Sequence, residues 1–295
     1  MVVVNFIFYY FIIIPISLLP FRILYVISDG LSFFFYYVIG YRKRIVSQNI
    51  RNSFPDKTNA EQKLIAKRFY NHFCDLIVES LKIFTISEKD VHKRMICRNP
   101  EVINKYFEKK QNVIIAGGHY NNWEIFAVAV DKMIKHQPVG IYMPLSNKFF
   151  DDKMQKSRSK YGLKMISAKN VRDFFEVEKN NLNAVIFAID QSPSNPAKGY
   201  WTKFLNQDTC VLTGTEKYAV EFDYPVLFGR AHKIRRGYYV LEFEEACINP
   251  IDTSKGEIIE KITLLLERDI IKAPEYWLWS HRRWKHKRPV EKLYD

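Results

Sequence analysis

The chain has 295 residues, enough for one large domain or two small ones with a substantial core. Lys and Arg outnumber Asp and Glu 45 to 32, a formal charge of +13, which favours an acidic partner: nucleic acid, an anionic membrane surface or an acidic carrier protein. The four cysteines, Cys74, Cys97, Cys210 and Cys247, are scattered without a CxxC or a nearby histidine pair, which argues against a zinc site and against a disulfide framework.

The first element is apolar. Val2 to Leu19, "VVVNFIFYYFIIIPISLL", carries no charge and just reaches the roughly 18 to 20 residues needed to cross a bilayer. No basic residue precedes it and no small-residue cleavage site follows, so an uncleaved anchor is expected rather than a signal peptide. Leu31 to Tyr41, "LSFFFYYVIGY", is too short to span and suits the interface. Arg42 to Arg44, "RKR", then mark the cytoplasmic side. A buried hairpin of core helices is the alternative. Residues 1–41 are thus read as a membrane anchor or interfacial region and residues 42–295 as a cytoplasmic domain.

Ala60–Phe84 repeats apolar residues at helical spacing and predicts a long amphipathic helix. Strand-like runs follow at Val113–Ala116, Val139–Tyr142, Leu163–Ile166, Ala184–Ile189 and Val226–Phe228, with an alternating strand at "YYVLEFEE". Helical patterns lie between them at Trp123–Ile134, Lys148–Lys160, Val171–Glu178 and Gly214–Glu221, and Lys255–Ile271 closes the series. Alternating strands and helices predict an α/β domain with a mixed, mostly parallel sheet flanked by helices. In such sheets ligands bind beyond the carboxyl ends of the strands.

Two polar clusters sit at such ends. "GGHYNNWE" follows Val113–Ala116, and Asp190-Gln191 follow Ala184–Ile189. His119 and Glu124 are five residues apart, which on one helix would turn their side chains about 140° from each other. They can pair if His119 lies in a loop, made by Gly117 and Gly118 at positive φ, and Glu124 in the first helical turn. The carboxylate would then orient the imidazole and leave its other nitrogen basic. With no Ser or Cys beside them in sequence, such a pair suits direct activation of a substrate hydroxyl. The other reading is a capped turn with Glu124 favoured by the helix dipole. Arg158 belongs either to the same cleft or to a solvated helix face, and Asp190 either to the ligand edge or to a turn before "QSPSNP". Backbone N–H groups of Tyr120–Asn122 are candidate oxyanion donors. The tail "WLWSHRRWKHKR", Trp277 to Arg288, mixes tryptophan with cations, a pattern of membrane interfaces and also of nucleic-acid binders. The apolar N-terminus favours the membrane.

The order of the apolar N-terminus, "RIVSQNIRNSFP", "FYNHFCDLIVESLK", "GGHYNNWE", "AIDQSP", "TGTEKYAVEFDYPV" and "PEYWLWSHRRWK" resembles the bacterial lipid A biosynthesis acyltransferases, the lauroyl/myristoyl group within the lysophospholipid acyltransferase superfamily. The resemblance runs from the anchor to Lys285. It implies a glycerolipid acyltransferase-like fold and an inner-membrane enzyme facing the cytoplasm of a Gram-negative bacterium. The enzyme would move a fatty acyl chain from an acyl carrier protein thioester to a hydroxyl of a lipid A precursor, without cofactor, metal or nucleic acid. It implies His119 as general base, Glu124 as its partner, and Arg158, Asp190 and Asn122 as substrate-binding residues. The family usually has Arg-Pro where this chain reads "YMPLSNK", so Met143 replaces an arginine, and Lys148 is the candidate to compensate. An acyltransferase for an aminolipid or lysophospholipid, and a non-enzymatic basic binding protein at the membrane, are the rival readings.

Overall fold

The computed structural model describes residues 2–289; Met1 and the end of the expected 42–295 domain lie outside them. A seven-stranded sheet forms its centre. The strands are β1 (Met95–Cys97), β2 (Val113–Gly117), β3 (Gln137–Tyr142), β4 (Lys164–Ser167), β5 (Asn183–Ala188), β8 (Val226–Arg235) and β9 (Tyr238–Cys247), and β6 (Tyr200–Phe204) and β7 (Gln207–Val211) form a separate hairpin. The order across the sheet is β1-β9-β8-β2-β5-β3-β4. Every neighbouring pair is parallel except β8 with β9. The mixed, mostly parallel α/β sheet expected from the sequence is therefore present.

Both faces of the central strands are covered, which is why β2 and β5 read as unbroken apolar runs. Along β2, Ile114 and Ala116 enter one core with Phe69, Phe175, Leu266 and Trp277, whereas Val113 and Ile115 enter the other with Ile103, Ile125 and Leu241. The helix predicted at Ala60–Phe84 is Asn59–Lys82, started by a capping box in which Thr58 and Glu61 satisfy each other's backbone N–H. The helix expected over Trp123–Ile134 is α-helical only from Trp123 to Ala129, then tightens to a 3₁₀ turn at Val130–Met133. β8 runs seven residues beyond its apolar start. Its second half carries Arg230, His232, Lys233 and Arg235, and is held by antiparallel pairing with β9 rather than by burial.

The N-terminus departs from expectation. Val3–Leu18 is the shorter apolar helix, and Phe21–Ile39 is the one long and apolar enough to cross a bilayer among the described residues. Arg22 and Asp29 interrupt the apolar run in sequence without interrupting the helix, and Asp29 is paired with Arg236. The tail also differs. Trp277 and Trp279 are fully buried in the core, and Arg283 donates to the Cys210 carbonyl. Two of the tryptophans and Arg283 are thus an interior brace, whereas Arg282, Lys285, Lys287 and Arg288 remain exposed.

Helix Asn59–Lys82 carries a buried carboxylate, Glu79, toward the N-terminal helices. It accepts from Tyr25 Oη (2.8 Å), from Tyr239 Oη (2.8 Å) and from the Asn122 side-chain amide. Burial raises its pKa against the two tyrosine bonds. Replacing Glu79 with Ala strands three buried donors and should lower stability by roughly 2–4 kcal/mol in a urea titration, with Glu79→Gln losing less because it keeps an acceptor oxygen.

Candidate active site

β2 and β5 are parallel neighbours in the register Gly117↔Ala188. His119 and Asp190 each lie two residues past those partners, so sheet register alone sets them side by side. Asp190 Oδ1 accepts from His119 Nδ1 at 2.7 Å, and Oδ2 accepts from the His119 backbone N–H and from Trp277 Nε1, both at 2.8 Å. Gly118 makes this approach possible: a Cβ there would stand 2.8 Å from two Leu266 carbons and 3.3 Å from Asp190 Oδ2. Neither Gly117 nor Gly118 adopts positive φ. The left-handed residue of the turn is Asn121, at φ 57°, tied by its amide nitrogen to the Ala231 carbonyl (2.7 Å).

The hydrogen bond anticipated between His119 and Glu124 is not formed. Glu124 accepts a forked pair from Arg158, Nε at 2.9 Å and Nη2 at 2.6 Å, the planar geometry that suits guanidinium to carboxylate. Five residues of chain place Glu124 in the first turn of Trp123–Ala129 as expected, but Asp190, coming from the adjacent strand, reaches the imidazole instead. Asn122, expected to touch substrate, is fully buried. Its Oδ1 caps the helix by accepting from Ile125 N (2.8 Å), and its amide binds Glu79. The Asn121 backbone N–H donates to the Tyr276 carbonyl and so is not free to hold an oxyanion. Arg158 and Asp190 do join His119 at one site.

With Asp190 ionised, Nδ1 carries the proton in the neutral imidazole and Nε2 presents its lone pair. Gln191 Nε2 lies 3.2 Å from that nitrogen, and the Trp123 ring stands edge-on, 5.0 Å between centroids. Burial lowers the His119 pKa, but the charge and hydrogen bond of Asp190, with Glu124 behind, outweigh it and leave the pKa above 6.5. Burial raises Asp190, and His119 with Trp277 more than offsets this, to about 2. His281 donates nothing here; its Nε2 accepts from Ser192 N (3.3 Å), and burial depresses its pKa.

His119, Gln191 and Arg158 open onto a cavity of about 670 Å³ that continues between Phe126, Leu163, Met165 and Phe187. That volume lies within the range of small-ligand sites, and the wall away from His119 is apolar. Met143 and Leu145 stand at its rim, 69% and 49% exposed. Met143 thus sits at the mouth, where an arginine is usual in the resembling family. Asp190's dominance and the role of Trp277 were not readable from motif spacing; the "DQ" after a buried strand was the one signal for the former.

The site is an imidazole held by a carboxylate at the carboxyl edge of a parallel sheet, beside a largely apolar cavity. The chain belongs to the bacterial lipid A biosynthesis acyltransferase family, whose model matches residues 2–286. It is therefore an acyltransferase. It is 23% identical over 289 residues to a lipid A biosynthesis acyltransferase of Haemophilus influenzae, covering 94% of this chain and 89% of that one. It is 22% identical over 280 residues to the lipid A biosynthesis lauroyltransferase of Escherichia coli, covering 90% and 87%. A palmitoleoyltransferase of E. coli is 23% identical over 255 residues, covering 84% and 80%.

An NMR titration of the His119 imidazole should give a pKa above 6.5, and Asp190→Asn should move it below 6.5, because burial then acts without the compensating charge.

Proposed function

We propose that the protein transfers a fatty acyl chain from an acyl carrier protein thioester to a hydroxyl of a lipid A precursor, at the cytoplasmic face of the inner membrane, with His119 as general base. The observation that supports this best is the locked imidazole: Asp190 holds Nδ1, and His119, with Gln191 beside its Nε2, lines an apolar cavity. The acceptor oxygen attacks the thioester carbonyl while Nε2 takes its proton. The tetrahedral intermediate then collapses, the C–S bond breaks, and His119 returns the proton to the departing thiolate. No group on the protein is acylated.

Asp190 fixes the tautomer and stabilises the imidazolium as it forms, whereas the charge of Glu124 is countered by its partner Arg158. The Glu124–Arg158 pair sets the guanidinium on the cavity wall. As a lining residue, Arg158 is placed to meet a carbonyl oxygen or a phosphate of the substrate. The net charge of +13 attracts both an acidic carrier protein and phosphorylated lipid. The apolar cavity receives the acyl chain. Met143 at the rim favours a second reading, in which the acceptor is a lipid other than the usual lipid A precursor.

Purified enzyme offered acyl carrier protein thioesters with lipid A precursor, aminolipid and lysophospholipid acceptors separates these readings. Loss of transfer to the lipid A precursor alongside transfer to another lipid would replace the first by the second. His119→Ala should lower turnover by about 10²–10⁴-fold with membrane association unchanged. In the wild type the rate should fall as pH drops through the raised His119 pKa, since only the neutral imidazole accepts the proton. Gly140 lines the cavity between Leu163 and Met165. Gly140→Leu should shift product mass toward shorter chains in lipid mass spectrometry.

A further inference from the structure

We infer that the two N-terminal helices do not cross the bilayer but lie flat in one leaflet, as an apolar platform continuous with the mouth of the active-site cavity. This rests on the membrane reading above and concerns how the membrane is engaged.

Polar side chains of both helices are committed to the catalytic domain at several turns, with Arg22 left exposed at the start of the second helix. In Phe21–Ile39 they recur at positions 25, 28, 29 and 32, one helical face. Tyr25 donates to Glu79 (2.8 Å), Ser28 to Asp75 (2.8 Å) and Ser32 to Asn71 (2.5 Å), and Asp29 pairs with Arg236 (2.6 Å). In Val3–Leu18, Asn5 meets Asn147 (3.3 Å), Tyr10 meets Lys153 (3.1 Å), and the Ser17 carbonyl accepts from Lys82 (2.8 Å). A spanning helix must leave the domain to cross about 30 Å of hydrocarbon. Here that would either break these contacts or carry Asp29, Asp75, Glu79 and Arg236 into lipid, where unpaired polar groups are costly. The 16 residues of Val3–Leu18 cover only about 24 Å in any case.

The opposite faces are bare and apolar. Val4, Phe11, Leu18, Val26, Phe33 and Val38 are between 61% and 71% exposed. Cations rim this face: exposed Arg42, Lys43 and Arg44 follow the second helix, with Lys43 over the Tyr36 ring (4.3 Å), and Lys153 stands over Tyr9 (5.0 Å). An apolar face edged by cation–aromatic pairs fits an anionic lipid surface. The first helix adjoins the cavity rim through Asn5–Asn147 and the Phe8–Phe150 ring contact (6.3 Å). Met143 and Leu145 continue the apolar surface into the cavity. A lipid acceptor can thus enter sideways from the leaflet without its chains meeting water.

The full-length enzyme, with Cys97 and Cys247 changed to Ser, is spin-labelled singly at Val4→Cys, Phe11→Cys, Val26→Cys and Val38→Cys and bound to vesicles of phosphatidylethanolamine and phosphatidylglycerol. Oxygen and nickel-chelate accessibilities should place all four labels in one leaflet, about 5–10 Å below the headgroups. A depth that passes through the midplane along either helix overturns the inference and leaves the membrane reading standing. Failure to float with the vesicles overturns both, while acyl transfer to a detergent-dispersed acceptor judges the catalytic reading separately. Val26→Glu with Phe33→Glu should weaken vesicle binding at least about tenfold with detergent-phase turnover unchanged; unaltered binding also overturns the inference.

Discussion

Asp190 is buried and accepts three hydrogen bonds, and the rest of the candidate site is arranged around it. Burying a carboxylate is costly unless it is paired and fully hydrogen-bonded. Here three parts of the chain meet: the loop after β2 with His119, the loop after β5 with Asp190, and the C-terminal segment through Trp277. The buried tail is therefore needed at the site although it touches no reacting atom. Trp277 holds one carboxylate oxygen while the other orients the imidazole, so the direction of Nε2 depends on a tryptophan more than 150 residues from His119.

A second buried carboxylate, Glu79, does the comparable work one layer away. It joins Tyr25 of an N-terminal helix, Tyr239 of β9 and Asn122, whose other side-chain atom caps the helix bearing Glu124. Glu124 in turn fixes Arg158. A chain of hydrogen bonds thus runs from the apolar platform to the cavity wall. Such networks rigidify when every member is satisfied, and this one ties the position of the catalytic helix to the docking of the segment that meets lipid.

Several elements were legible because their cause is local. β2 and β5 are short β-branched runs ending in Gly or polar residues, and the long helix Asn59–Lys82 announces itself by period and by Thr58 with Glu61. β1, the β6–β7 hairpin and the helices Lys43–Ser53, Glu88–Arg94 and Glu101–Glu108 were not drawn from the pattern; they are short or polar, and packing decides them. At the N-terminus the helix of spanning length is Phe21–Ile39 rather than the uncharged Val2–Leu19, since charges interrupt an apolar run in sequence without ending a helix.

The sequence by itself determined the α/β class and offered His119, Glu124, Arg158 and Asp190 as candidates, the first two and Asp190 from strand ends and Arg158 through the family resemblance, since strand ends and residue types are local properties. Which carboxylate serves which cation was decided only by tertiary structure. Spacing along one chain favoured His119 with Glu124, but the parallel register of β2 with β5 brings Asp190 nearer and leaves Glu124 to Arg158. The same holds for Asn122 and the tryptophans, whose burial depends on surfaces that other segments supply. Pairing and burial are relations between distant segments, and no window of sequence contains both members.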